Sequence, residues 1–398
     1  MPMMVVALVL LLAATASPAS AQEPTGEPLV PAITLKPGKG LTLAFPNDSF
    51  SFTFRARVQF RASVFAPVTA QDGAKTPGTE MVIRRARLVF AARAFQHWQL
   101  LIQLGMSNQD MEPDLRVPLR DAYLTYTQFR DVNVRAGQMK VPFDRQRMVS
   151  SGNLQFADRS IVVGELTLDR DVGVYLFSKD LLGLGGRVGY YVGLFGGDGR
   201  NRLSDVPGML GVARLEIRPF GAFDDDMESS HQDHATPKLT LGAALARNQN
   251  TIRERSTFGN VYASGGRTSF THATVDLHGK WRGASFLTQG ICRWADGPKV
   301  YGRRDGRDVT EPTRSACGYF FQAAYLVTRQ LELAGRVGNI IPMGANSPAM
   351  HPSREVGTAV NLYAHRHELK LQGDYFYLFA ADPREGTHQL RIQLQMAL

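Results

Sequence analysis

The sequence predicts an all-β chain: a transmembrane antiparallel β-barrel of about 16 strands, with long outer loops and short periplasmic turns. Two observations carry this reading. Apolar and polar residues alternate with period two in run after run, and the connections between runs are long and tight by turns. A third observation, at the N-terminus, sets the compartment. Bulk composition points elsewhere, because the chain has 398 residues, 44% hydrophobic and 20% charged, and holds no apolar run long enough to cross a bilayer as a helix. Half-apolar strands escape such a scan. The same figures argue against extended disorder. Two cysteines exclude both a disulfide-rich scaffold and a Cys-based zinc site.

Residues 1–21 read as a signal peptide. An apolar core, Val5 to Ala14, precedes Ser17, Pro18 and the small-x-small site Ala19-Ser20-Ala21, so cleavage is expected after Ala21. No Lys or Arg stands ahead of that core. Residues 22–49, with Pro24, Pro28, Pro31 and Pro37, read as a periplasmic leader with little structure. Residues 50–398 are assigned to the barrel.

The first strand is the clearest. Phe50, Phe52, Phe54, Ala56, Val58, Phe60, Ala62 and Val64 alternate with Ser51, Thr53, Arg55, Arg57, Gln59, Arg61 and Ser63. The last repeats the pattern with Leu390, Ile392, Leu394, Met396 and Leu398 against Gln389, Arg391, Gln393 and Gln395. Further runs begin near Val82, Trp98, Leu119, Val132, Asp169, Gly185, Met209, Lys238, Ser269, Arg282, Ala316, Gln330, Glu355 and Arg366, making sixteen in all. Long connections (Ala66–Glu80, Ser107–Pro118, Pro142–Leu168, Gly196–Gly208, Asn248–Thr268, Ala295–Ser315, Asn339–Arg354, Ala380–Thr387) alternate with tight turns at Gln96, Arg130-Asp131, Lys280-Trp281, Thr328-Arg329 and His365. Phe220–Pro237 breaks the rule, being long and acidic on the short-turn side. A large soluble sandwich or propeller also alternates, but seldom for ten-plus residues so many times, and no blade-length repeat is present.

A greasy face toward lipid leaves the polar face to line an aqueous lumen. The chain carries 45 Lys and Arg, only nine of them Lys. By parity Arg55, Arg57 and Arg61 on the first strand and Arg85, Arg87 and Arg93 on the second point inward, joined later by Arg135, Arg187, Arg214, Arg218, Lys238 and Arg391. Later strands set Glu216, Asp276, Glu332, Glu368 and Asp374 among them; the first two do not. Guanidinium groups without matching carboxylates attract anions, and their planar fork suits phosphate. Two alternatives stay open: a non-selective general porin in which charges cancel, and a structural or adhesive barrel plugged by its own loops.

Other motifs carry less. Cys292 and Cys317 bracket a long loop and could close it in an oxidising compartment, or stay unpaired and out of register. Asp224, Asp225, Asp226, Glu228, His231, Asp233 and His234 read as an acidic solvated loop rather than a metal site. Gly183 to Gly189 faintly suggests a nucleotide loop but leads into a strand. No Gly-x-Ser-x-Gly or His-Glu-x-x-His motif occurs, so no enzyme, cofactor or metal is expected. The formal charge of +9 does not call for nucleic acid, since the basic residues fall inside the barrel of an exported chain.

Arg84-Arg85-Ala86-Arg87-Leu88, Trp98 to Leu104, Leu119-Arg120-Asp121-Ala122-Tyr123-Leu124-Thr125-Tyr126, Arg135-Ala136-Gly137-Gln138-Met139-Lys140-Val141-Pro142-Phe143, Ser150 to Ser160 and Arg170 to Val174 together resemble the phosphate-selective porins O and P. The likeness is specific from Phe50 to about Phe177. It implies a homotrimeric channel of the Gram-negative outer membrane, seated in lipid and passing phosphate, polyphosphate or other inorganic anions. It also implies that the third outer loop, Pro142–Leu168, folds inward. Arg145, Arg147, Ser150, Ser151 and Arg159 are then constriction candidates, with Lys140 at the base. Two features depart from the family: Asp144-Arg145-Gln146-Arg147 replaces the Glu common after Pro-Phe, and Leu398 stands where an aromatic is usual. A parity conflict between Ala136 and Met139 predicts a β-bulge at Gly137 that turns Gln138 and Lys140 inward with Arg135.

Overall fold

The computed structural model describes residues 30–46, 50–68, 77–112, 115–202, 208–232, 234–344, 350 and 353–398; the expected signal peptide lies outside them. Strands β1 (Ala32–Lys36) and β2 (Gly40–Ala44) form a hairpin. Then come β3 (Phe50–Pro67), β4 (Gly78–Ala94), β5 (Trp98–Gly105), β6 (Leu119–Tyr126), β7 (Asn133–Lys140), β8 (Arg170–Ser178) and β9 (Val188–Phe195). They are followed by β10 (Met209–Ile217), β11 (Lys238–Thr251), β12 (Thr268–Trp281) and β13 (Ala284–Ala295). β14 (Lys299–Arg304) and β15 (Arg307–Pro312) are a separate hairpin within an outer loop. β16 (Ala316–Leu326), β17 (Leu331–Pro342), β18 (Ser353–His365), β19 (Leu369–Phe379) and β20 (Thr387–Ala397) complete the chain.

Neighbours in chain order pair antiparallel, and β20 returns to β3 from Thr387↔Pro67 to Ala397↔Arg57. The eighteen-stranded sheet, less β1 and β2, is therefore a closed barrel of sixteen strands. Closure removes the unpaired edges that an open sheet of this size would expose. Each expected run overlaps one of these strands. The outward faces carry Val58, Phe60, Val64, Leu215, Leu245, Val275, Val356, Leu390 and Ile392, all exposed. No described helix is long and apolar enough to cross a membrane.

Local details differ from expectation in physically informative ways. The leader carries the β1–β2 hairpin, whose outer partner β2 continues the sheet beside the base of β3. Gly38 and Gly40 make that hairpin possible, with φ of 69° and 79°. β12 runs on through Trp281, so the turn falls at Arg282-Gly283, both at positive φ, as a two-residue primed hairpin turn requires. Pairing passes regularly through Gly137 on both sides, from Tyr123↔Gly137 to Gly137↔Gly173, so the expected bulge is absent. Gly137 instead takes φ +129°, and a Cβ there would lie 2.2 Å from the Ala122 carbonyl oxygen. The missing side chain thus absorbs the distortion without an inserted residue. A bulge does occur elsewhere: between Gln59↔Arg85 and Phe60↔Ile83 the residue Arg84 has no partner on β3.

Candidate functional site

The connection 142–168 folds into the barrel. Its backbone is fixed locally by two short helical stretches. Arg145–Met148 is capped by the Asp144 side chain, which accepts from Arg147 N, and Ile161–Leu166 by Ser160, which accepts from Val162 N. The loop packs on the half of the wall built by β10–β20. Arg145 reaches Glu216 at 2.6 Å, Asp276 at 3.4 Å and Asp225 at 3.3 Å. Gln146 Nε2 donates to Gln322 at 3.2 Å, Gln155 Nε2 to Glu332 at 2.9 Å, and Ala157 N to Asp374 at 2.9 Å. Ser160 Oγ donates to Glu355 at 2.6 Å.

Apolar contacts finish the anchorage. Val162, Val163, Leu166 and Leu168 join Leu287, Ile291, Phe320 and Ile340, while Phe156 sits among Ala324, Ala334, Ala359 and Phe376. The inner face of β16–β19 is therefore a core around the loop rather than the uniformly polar wall that alternation suggests. Alanines at three of those positions give Phe156 its space.

The anomalous connection 218–237 enters the lumen from the short-turn end and props the loop. Glu228 is 1% exposed. Its carboxylate accepts from Gln146 Nε2 at 3.0 Å, Gln155 N at 2.8 Å and Gln322 Nε2 at 2.9 Å. Ser229 Oγ meets Tyr363 Oη at 2.8 Å, and the His231 ring packs on Tyr363 and His367. Asp225 pairs with Arg145 and Arg218, and Asp224 with Lys280 and His234. Among the described residues no three acidic, His or Cys side chains gather to hold a metal.

What remains open is a cavity of about 1140 Å³ between β3–β8 and the loop. It runs from Lys39, Arg366 and Glu368 at the short-turn end to Arg200, Arg253 and Arg255 among the outer loops. Sixteen Lys and Arg line it against six Asp and Glu. Arg57 donates to Ser150 Oγ at 3.2 Å and Ser151 Oγ at 3.0 Å, and Arg87 to Ser151 Oγ at 2.9 Å. The Lys140 ammonium donates to the carbonyls of Met148 and Val149 at 3.0 and 3.2 Å. Arg159 donates to the carbonyls of Gln146 and Val149 at 2.8 and 2.7 Å. Arg135 donates to Thr125 Oγ1 at 2.9 Å. Arg55 lines the cavity with no ion pair or hydrogen bond among the described residues.

Other candidates lie differently. Arg145 is buried against the opposite wall, and Arg93, though on the inward parity, is exposed at the short-turn rim opposite Ser51. Arg61 sits behind Asp158, and Arg147 pairs with Asp169. Arg187 falls in an exposed turn before β9. The arginines of β3 and β4 are also not free of carboxylates as a group. Asp158 of the inward loop serves Arg61, Arg84 at 2.9 Å, Arg85 at 2.9 Å and Arg391 at 3.6 Å. Asp110 of the second outer loop serves Arg87 at 2.5 Å and Arg120 at 3.2 Å. Strand parity sees only strand residues, so counter-charges delivered by loops escape it. It also missed Arg84, which the bulge turns inward beside Arg85.

Charge states follow from these contacts. Burial alone would raise the Asp158 carboxyl, but the guanidinium groups of Arg84, Arg85, Arg391 and Arg61 hold it well below the usual carboxylate range. Burial, and then the Arg147 guanidinium, bring Arg159 down to about 9, which still leaves it protonated at neutral pH. Cys292 and Cys317 are register partners on β13 and β16, and their sulfurs are bonded. Ile291 and Arg293 beside Cys292 are buried inward, so the disulfide lies on the outer face.

Residues 52–186 match the family model described as phosphate-selective porin O and P. No curated protein matches the chain. Among solved structures, the outer-membrane channel DcaP of Acinetobacter baumannii superposes with a TM-score of 0.57 at 11% identity, over 88% of this chain and 98% of that one. An anion-selective porin from Comamonas acidovorans gives 0.57 at 12% identity, over 88% and 100%. OmpT of Vibrio cholerae in a trimer form gives 0.50 at 11% identity, over 88% and 100%. At these identities the likeness is one of fold.

Proposed function

From a sixteen-stranded porin barrel whose residues 52–186 match the phosphate-selective porins O and P, we propose an outer-membrane channel for passive, anion-selective diffusion. The family match and the fold support a channel rather than an enzyme. Small inorganic anions, phosphate and polyphosphate among them, are the permeants proposed. One observation supports the selectivity: Arg55, Arg57, Arg135, Lys140 and Arg159 face the passage, and where they have partners among the described residues these are hydroxyls and backbone carbonyls rather than carboxylates. Neutral partners orient a cation and leave its charge uncancelled, so the passage keeps a positive potential. The Ser150 and Ser151 hydroxyls between Arg57 and Arg87 add donors suited to an oxyanion.

Further parts of the proposal concern biogenesis and assembly. The small-x-small site before Gln22 supports export with cleavage after Ala21, and the trimer form recorded for a fold neighbour supports assembly as a homotrimer. The deciding experiment is single-channel recording in a planar bilayer under a KCl gradient, followed by added phosphate. A chloride-set reversal potential with phosphate block is expected. A chloride-set potential without block leaves a general anion porin, and a potassium-set potential overturns the selectivity.

A further inference from the structure

One stretch of the passage wall does not suit a bare inorganic anion. Across β3–β8 the inward positions Arg55, Val89, Leu101, Tyr123, Arg135 and Tyr175 form a continuous band. Register places Arg55 opposite Val89, Leu101 opposite Tyr123, and Arg135 opposite Tyr175. All six line the cavity. The middle of the band is apolar or aromatic and its two cations have no carboxylate partner among the described residues. Arg135 is stacked, with its guanidinium carbon 4.3 Å from the Tyr123 ring centre and 5.6 Å from that of Tyr175. Stacking covers the faces of the guanidinium and leaves its edge as the donor surface. Neighbouring strands lie ~4.8 Å apart, which sets Arg135 ~10 Å along the wall from Leu101, two strands away.

We propose that this band is a binding site for organic anions with an apolar, preferably aromatic, body. The carboxylate meets the edge of Arg135 while the body lies over Leu101 and Tyr123. Hydrated phosphate gains nothing from such a surface, whereas a phenyl ring loses apolar area to it. The inference deepens the channel reading above and rests on it.

The test compares acetate with phenylacetate, which carry the same charge and differ by one phenyl group, as blockers of chloride current through single channels of the full-length protein. Phenylacetate is expected to half-block at a concentration about tenfold lower, which corresponds to ~1.4 kcal/mol of added ring burial. Leu101→Asn is expected to close most of that gap, and Arg135→Gln to weaken phenylacetate more than phosphate. Should L101N fail to assemble, acetate, butyrate and hexanoate on the wild-type channel decide the same point, since block must strengthen with chain length. A potassium-set reversal potential removes the channel reading and this site together. Chloride-set current with phenylacetate no better than acetate removes the site alone.

Discussion

Asp158 is a single carboxylate set between four guanidinium groups, those of Arg61, Arg84, Arg85 and Arg391. Its side chain is 23% exposed, so part of its charge is screened by lumen water. Removing one partner from a buried ion pair costs roughly 3–5 kcal/mol, and less where water reaches. Asp158→Asn is therefore expected to lower the thermal denaturation temperature and, by freeing arginines, to raise the chloride-to-potassium permeability ratio. Equal permeability ratios before and after would refute that link. Arg57→Gln works in the opposite direction, since among the described residues its hydrogen-bonding partners are the Ser150 and Ser151 hydroxyls: the ratio should fall and phosphate block weaken. At this scale alternation put Arg55, Arg57, Arg85 and Arg87 on the inner face, and all four line the cavity. It could not locate Arg84, because a bulge resets parity, nor the apolar inward Val89 and Leu101. The runs Leu88-Val89-Phe90 and Leu100-Leu101-Ile102, apolar on both parities, were the visible signs of the latter.

Among the elements, all sixteen barrel strands were legible, because each must bury one face in lipid and that requirement writes a period of two into the chain. The inward loop was legible only through family resemblance, and the insert 218–237 only as an exception. Its role lies in tertiary contacts between polar side chains far apart in sequence, for which there is no periodic signal. Glu228 is the joint between insert, loop and wall. Glu228→Ala is expected to raise single-channel conductance and lower anion preference, by loosening the loop. A purely electrostatic role predicts the reverse preference, since a negative charge is lost, so the permeability ratio separates the two. His231 gives the insert a pH dependence. Burial, then Arg366, Lys280 and Lys370, bring its imidazole down to about 4, against an ordinary value near 6.5. The neutral ring is the docked form, so its contribution is complete above about 6.5 and is lost as pH falls toward about 4. Current noise in single channels should therefore rise between pH 6.5 and 4.5, and His231→Gln should flatten the rise.

For the whole molecule, the Cys292–Cys317 bond ties neighbouring strands on the outer face across 25 residues of chain. Cross-links closing loops of this size stabilise by ~3 kcal/mol through the unfolded state. Reduction should lower the temperature of heat-induced unfolding while leaving conductance as it was, which calorimetry and bilayer recording of the same sample can check. The sequence left this bond open, since bonding needs the two residues in register and register is a property of the paired strands. The inward loop has a consequence for assembly as well. A barrel has one joint that chain order does not supply, where the last strand finds the first. The loop spans that joint: Ser150 and Ser151 hold Arg57 on β3, Gly152 O accepts from Gln395 on β20 at 3.1 Å, and Asp158 grips Arg61 on one side and Arg391 on the other. Seating the loop and zipping the seam are thus one coupled equilibrium, in which whatever favours either favours both by the same free energy. A barrel that has not closed has no filter, and a chain that loses its filter also loses part of its clasp.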